Sequence, residues 1–531
     1  MLIGKNMWDE NIVSGLTEKT FHQRTYDVYQ AVPDNLFASL ERTAASYGSK
    51  TGIYDDTENG RTYAEFLTDC LTFANYLYEQ KGIRKHAHIA LMMYNCYEFC
   101  VAFYACNRLG AVAVPLPTKY RKDEVLSLCE KSDLDGIICD IHFRDWFDSF
   151  SESQIPVIAT SENGYGFSFA GSRLLPPEVP AGDAEDAALL IFTSGTTAKC
   201  KGVVIQNYSA MHAVTVYRKI LQVTDKDTTI IPVPIYYVTG LLALLGLFVD
   251  SGGTIYLHKF FDAKRILSTM QEKDVTFFHA SPTVFSLLLQ ESKAYPSLPA
   301  LRCFACGSSN MPKEKLQKLH QWLPQMLFHT VYGLTETASP ATIFPTDAAT
   351  HPYIGSSGIP VPGLRLKIIT PEGIEAVANE SGEIWVSGTI VLDHYYHQES
   401  DLLKAGWLDT GDIGYVNEDG YLFIVDRKKD MINRGGEKIC SYDVENELYK
   451  IDGISEAAVV GIPDEVYGEV AAAAVKKNDS SPLTESDIKE ILSHQLAKYQ
   501  IPVKILFLDD IPLTRNFKVD KQAIRKLFTN R

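Results

Sequence analysis

The chain has 531 residues, 46% of them hydrophobic and 22% charged, with a formal net charge of −16. That length exceeds what one compact core serves, so two or more domains are expected, and the composition is that of a globular protein. The acidic balance argues against a general nucleic-acid binder, because phosphate neutralisation needs a basic face, but it leaves room for a small anion held by a few local cations.

The opening residues, MLIGKNMWDENIVSG, contain no apolar core of a signal peptide. Ten scattered cysteines then read as reduced thiols of a cytoplasmic protein. Cys303 and Cys306 form a lone CxxC without the second pair that zinc needs, so both are expected to be small buried apolar residues. His88 to Met93 reads as a strand, Glu98 to Leu109 as a helix capped by Gly110, and Ala111 to Val114 as the next strand. Such units recur to about residue 330 and predict α/β layers with mostly parallel sheets. Ile230 to Val249 is twenty residues without a charge, long enough to span a membrane. Pro232, Pro234 and the Thr239-Gly240 break make a buried strand, a turn and a buried core helix the expected outcome, with no transmembrane segment.

Between residues 350 and 428, short apolar runs alternate with Gly, Pro and Asp turns, predicting a β-rich, barrel-like subdomain. Helices return after Asp430, where Ser441 is the expected N-cap and Val444, Leu448 and Ile451 form an apolar stripe. The expected fold class is therefore α/β. A large N-terminal domain, residues 1–428, holds two α/β subdomains and the barrel-like one. A small α+β domain, residues 429–531, follows on a short hinge near Lys429, since no Gly/Ser linker intervenes.

Residues 189–205, LLIFTSGTTAKCKGVVI, carry the first chemical signal. Two apolar runs flank Thr193, Ser194, Gly195, Thr196 and Thr197, with Lys201 and Gly202 just beyond. A loop of glycine and hydroxyls offers N–H and O–H donors to phosphate oxygens, and Lys201 adds a point charge. It lacks the GxxxxGK[ST] spacing of P-loop NTPases. Alone, such a stretch is equally a polar surface turn.

Three further motifs break the tie. They are Tyr332-Gly333-Leu334-Thr335-Glu336-Thr337, then Trp407-Leu408-Asp409-Thr410-Gly411-Asp412, then Asp426-Arg427-Lys428-Lys429-Asp430 leading into Arg434-Gly435-Gly436-Glu437. In this order and spacing the chain resembles the adenylate-forming (ANL) superfamily of AMP-dependent acyl-CoA synthetases, luciferases and peptide-synthetase adenylation domains. The resemblance runs from about residue 35 to residue 526 and includes Pro512-Leu513-Thr514-Arg515-Asn516-Phe517-Lys518.

The resemblance implies an enzyme that joins a carboxylic acid to ATP, giving acyl-AMP and pyrophosphate, then passes the acyl group to CoA. It implies that Thr193 to Thr197 and Lys201 hold the β- and γ-phosphates. Gly307 and Ser308 would border the adenine, and Tyr332, followed by Gly333, would stack on it. Thr335 would meet the α-phosphate, Glu336 would hold magnesium, and Asp412 with Arg427 would hold the ribose. Lys518 would bridge the acid and the α-phosphate, Lys429 would be the hinge, and Gly435 and Gly436 would line a pantetheine tunnel. Tyr236, Tyr237, Gly240 and Leu241 would border the acyl group, whose tail is expected to be fatty or aryl.

Several positions depart from the family pattern: Ala198 and Cys200 in the phosphate loop, Tyr237 where relatives carry histidine, and Phe517 where they carry glycine. None removes a charged catalytic group. Two alternatives stay open: a ligase that loads an acyl carrier protein, and a catalytically weak nucleotide-binding regulatory protein.

Overall fold

The structure, a computed structural model, describes every residue except 162–165, 168–172, 194–199, 310, 479–480, 515–517 and 530–531. Two layered α/β sheets lead. In the first, strands Gly202–Gln206, Ala187–Phe192, Val112–Pro115, His88–Met92, Gly136–Cys139 and Val157–Ala159 lie side by side in that order. All its pairings are parallel except the one between Ala187–Phe192 and Gly202–Gln206. The second sheet runs Ile359–Pro360, Thr342–Ile343, Leu327–Tyr332, Cys303–Cys306, Phe277–Ala280, Thr228–Ile231, Thr254–Leu257, Thr51–Tyr54 and Gly60–Thr62. Its central strands are parallel and read as near-continuous apolar runs because helices cover both faces. Helix Tyr97–Arg108 shows the consequence: every one of its residues is buried, so it lacks a polar face altogether. Its partner Tyr63–Lys81 is started by a Thr62/Glu65 capping box and stopped by Gly82 at φ 70°.

The charge-free stretch behaves as expected. Strand Thr228–Ile231 is followed by a turn and then by helix, wide-pitched over Thr239–Gly246 and regular over Leu247–Ser251, with 240–249 all buried. Among the described residues no helix is long and apolar enough to cross a membrane.

The β-rich region forms an antiparallel sheet from Leu364–Ile369, Gly382–Gly388, Trp407–Val416, Leu403–Lys404 and Leu422–Arg427. The N-terminal strand Leu2–Ile3 joins its edge beside Leu364–Ile369, a pairing too short to read from sequence. A further sheet combines Glu437–Ile439, Ile432–Arg434, Gly468–Lys477, Ile454–Asp464 and Lys504–Phe507. Its long strands alternate between two cores: Val459, Ala471 and Ala473 face one, Val460, Ala472 and Ala474 the other. Both cores consist of residues beyond 431, so this segment buries its own apolar surface.

One expectation is corrected. Ser441 does not cap the helix; it is the first residue of Ser441–Tyr449, after Cys440. Its N–H and Oγ both donate to Asp426, at 2.7 and 2.8 Å. A fully buried carboxylate outcompetes the helix end for the same donors.

Backbone hydrogen bonds join the parallel and antiparallel sheets near Gly358. Ser357 N donates to Leu422 O, and Leu422 N donates to Gly358 O, both at 2.8 Å. Gly358 sits there at φ 88°, and a Cβ would lie 2.2–2.3 Å from the backbone of Ile343 and Phe344. Gly358→Ala is expected to cost at least about 2 kcal/mol, because strain and backbone overlap add. Urea unfolding checks this; a midpoint equal to that of the parent protein would show that the junction yields freely.

Candidate active site

Parallel pairing builds the first wall. Cys306 sits opposite Thr330, so the turns that begin at Gly307 and Tyr332 emerge together at the carboxyl end of the sheet, where α/β folds bind ligands. Gly307 is buried and Ser308 exposed at φ 78°. Gly333 has no alternative residue, since a Cβ would lie 1.6 Å from Ser339 O. A single tight turn, Thr335–Thr337, then presents Thr335 and Glu336, both half-buried.

The antiparallel sheet supplies the second wall. Its register sets Asp412 directly opposite Arg427. Arg427 Nε lies 3.1 Å from Asp412 Oδ1, and Tyr332 Oη donates to Asp412 Oδ2 at 2.7 Å. Asp412 is 3% exposed; burial pushes its carboxyl up, and Arg427 and Tyr332 oppose that rise. Burial likewise pushes Glu336 up, against its hydrogen bond from Tyr395.

The third wall is the phosphate-loop hairpin. Phe192 pairs with Gly202, Thr193 N donates to Lys201 O at 3.0 Å, and Lys201 N donates to Thr193 Oγ1 at 3.3 Å. These bonds close the neck of the loop. Ser194, Gly195, Thr196 and Thr197, with Ala198, lie outside the described residues. Lys201 Nζ donates to Ser400 Oγ at 2.7 Å and stands 4.7 Å from the centre of the Tyr395 ring. Tyr395 Oη in turn donates to Glu336 Oε1 at 3.2 Å. Sequence reasoning missed Tyr395 and Ser400. The available signal was a Tyr395-Tyr396 pair within a polar loop.

Lys518 arrives from the C-terminal segment. Its N–H donates to Thr514 Oγ1 at 3.2 Å, and its ammonium lies within electrostatic reach of Arg427, Asp412, Lys429 and Glu336. Burial first, then repulsion by Arg427, lowers its pKa to about 8. Lys429 is exposed, in a turn where Asp430 N and Met431 N both donate to Arg427 O.

Two predicted groups lie apart from this cluster. Gly435 and Gly436 form a hairpin tip at φ 59° and 100°. Their N–H groups donate to Tyr467 O and Asn433 Oδ1, inside the C-terminal segment. Tyr236 and Leu241 are buried, and Tyr237 is half-buried with its ring edge-on to Tyr236 at 4.7 Å. Gly240 is small for a packing reason, because a Cβ would approach Ile235 Cα at 2.7 Å.

Comparison with known proteins agrees with this geometry. The model of the AMP-binding enzyme family matches residues 40–396, and that of the AMP-binding enzyme C-terminal domain matches residues 443–518. The chain is 31% identical over 498 residues to a long-chain-fatty-acid–CoA ligase, FadD13 of Mycobacterium tuberculosis, covering 92% of this chain and 97% of that one. It superposes with a TM-score of 0.81 and 27% identity on o-succinylbenzoate CoA synthetase of Bacillus subtilis in complex with its acyl-adenylate intermediate, over 92% and 97% of the two chains. The same synthetase with ATP and magnesium gives 0.80 and 28%, over 92% and 99%.

The charge arrangement predicts a measurable titration. Mass-spectrometric labelling of amines against pH should give Lys518 a midpoint near 8, below the ordinary lysine value of 10.5. Asp412→Asn should lower that midpoint further, since Asp412 stabilises the ammonium. A midpoint at the ordinary lysine value would mean that Lys518 does not enter the site.

Proposed function

The chain belongs to the AMP-binding enzyme family, and from that premise we propose how its residues perform the family's chemistry. The protein is an AMP-forming acyl-CoA ligase acting on a carboxylic acid, ATP and CoA. In the first half-reaction a carboxylate oxygen bonds to the α-phosphorus while the bond to pyrophosphate breaks. In the second, the CoA thiol gives up its proton, its sulfur bonds to the acyl carbon, and AMP leaves.

The observation that carries the residue roles is the convergence of Lys518, Arg427, Asp412 and Tyr332. Asp412 accepts from ribose hydroxyls, as a buried carboxylate with a fixed cationic neighbour can, and Arg427 donates beside it. Tyr332 and Gly307 offer a ring and a bare backbone to the adenine. Thr335 donates to the α-phosphate. Thr193 and Lys201 anchor the neck of the β,γ-phosphate loop. Lys518 neutralises the approach of two anions and holds them in line.

Among the described residues no group of three or more His, Cys, Asp or Glu side chains gathers to hold a metal by itself. The half-buried carboxylate of Glu336 suits magnesium, which commonly takes one or two carboxylates together with substrate phosphates. When bound, that ion withdraws charge from the phosphate oxygens.

The reading divides the chain into an adenylating unit, 1–428, and a unit that moves, 429–531, with Lys429 as the hinge. Rotation about Lys429 withdraws Lys518 and brings Gly435 and Gly436 to the pantetheine path, where residues without side chains admit a narrow chain. Tyr236, Tyr237 and Leu241 give the acid pocket an apolar, aromatic lining, so a fatty or aryl acid is the substrate. Coenzyme A is the acceptor, and an acyl carrier protein is the second reading. Ten free cysteines, nine of them buried, suit a reducing compartment, the cytoplasm.

Three experiments test these roles. With a panel of fatty and aryl acids, Lys518→Ala should slow pyrophosphate–ATP exchange by roughly 10²–10³ and leave thioester formation from supplied acyl-AMP largely intact. Equal losses in both steps would remove Lys518 from its role. Lys429→Pro should do the reverse, blocking thioester formation while exchange continues, and normal turnover in both steps would place the hinge elsewhere. The pH profile follows from the sign of the Lys518 shift. The charged form is the active one, so kcat/KM for adenylation should hold below pH 8 and fall as pH rises through about 8. Anionic nucleotide stabilises the ammonium, so the fall in kcat should come at higher pH. A flat kcat/KM profile from pH 7 to about pH 10 would contradict the assignment.

A further inference from the structure

Tyr395 stands between two groups of opposite charge. Its hydroxyl donates to Glu336 Oε1 at 3.2 Å, and the Lys201 ammonium rests 4.7 Å from its ring centre while donating to Ser400 Oγ at 2.7 Å. The ring is 3% exposed and its backbone is fixed at both ends. Tyr395 bridges Val203, Tyr396 N donates to Gly202 O at 2.8 Å, and Leu392 N donates to Glu336 O at 2.9 Å. The segment from 392 to 400 is thus a strap from the phosphate-loop hairpin to the Glu336 turn. Among the described residues Lys201 and Glu336 form no ion pair: the Lys201 ammonium is held by Ser400 Oγ, and its charge acts on Glu336 without direct contact.

We propose that Tyr395 is a positioning residue: it holds the metal carboxylate and the phosphate-loop lysine in one frame and keeps them from pairing with each other. A direct Lys201–Glu336 pair would remove a phosphate donor and a magnesium ligand at once. The ring face seats the cation without neutralising it, and the hydroxyl orients one carboxylate oxygen, leaving the rest of its lone pairs for the ion. A hydrogen bond of this kind to a ligating carboxylate tunes metal affinity.

The inference rests on the ligase reading, and the test separates the two. Calorimetry would measure binding of α,β-methylene-ATP with magnesium chloride and, separately, with EDTA. Tyr395→Phe keeps the ring under Lys201 and should leave metal-free binding unchanged while cutting the magnesium enhancement by roughly 10-fold. Tyr395→Leu should in addition weaken metal-free binding by roughly 3- to 10-fold as Lys201 loses its seat. Full magnesium enhancement in Tyr395→Phe would overturn the proposal. So would equal weakening of metal-free and metal-bound forms, which a merely structural role would give. Absence of analogue binding by the parent protein would overturn the ligase reading itself. Melting curves confirm folding, and should Tyr395→Leu not fold, Tyr395→Phe alone decides.

Discussion

The site depends on crowding cations beside two carboxylates. Arg427 and Lys518 repel each other there, opposed by Asp412, already engaged by Tyr332, and by Glu336. Burial first, and then repulsion by Arg427, lowers the pKa of Lys518. Repulsion among fixed cations is a cost of folding that anionic ligands offset when they bind, and a preorganised charge needs no rearrangement during reaction. The two cations come from distant parts of the chain: Arg427 from a strand of the antiparallel sheet, Lys518 from a loop of the C-terminal segment.

The C-terminal segment meets the antiparallel sheet through a compact polar network close to Lys429, the proposed hinge. Asp426, the residue before Arg427, accepts from the N–H and Oγ of Ser441. Lys521 Nζ donates to the same Ser441 Oγ at 2.6 Å and lies 3.2 Å from Glu445. Farther out, Lys315 rests 4.7 Å from the Tyr449 ring. The proposed rotation about Lys429 would part Asp426 from Ser441 and Lys315 from Tyr449, because each pair spans that residue. Lost hydrogen bonds to a buried carboxylate cost far more when nothing replaces them than when water or new donors do. The contact therefore favours a swing that wets Asp426 as it opens. The same contact explains why Ser441 does not cap its helix.

Legibility in the sequence followed locality. Strand–helix units and the charge-free stretch were readable because their causes lie within a few residues. The β-rich character of 350–428 was readable from its turns, whereas the pairing of Leu2–Ile3 beside Leu364–Ile369 depends on contacts across the whole chain. In the site, motif order pointed to Asp412, Arg427 and Glu336, but nothing in the motifs announced that Tyr332 reaches Asp412. Tyr395 was invisible for the same reason: its importance lies in what stands on either side of its ring, and both neighbours are distant in sequence.

Three sheets each contribute one wall, and that division limits what can vary. The parallel sheet contributes Gly307 and Tyr332 through backbone turns that tolerate no side chain at Gly333. The antiparallel sheet contributes Asp412 and Arg427 through a fixed register. Both are poor places for specificity to change, because altering them disrupts strand pairing. The remaining wall is the hairpin whose neck Thr193 and Lys201 close, and His279 lies behind Gly307. His279 is buried, burial lowers its pKa to about 3, and its Nδ1 has no hydrogen-bond partner among the described residues. His279 belongs to strand Phe277–Ala280, opposite Ala305, and its ring centre lies 5.9 Å from that of Tyr217. A neutral imidazole with an unmet hydrogen bond inside a sheet carries a penalty that apolar contact does not, so this position too is tied to strand pairing.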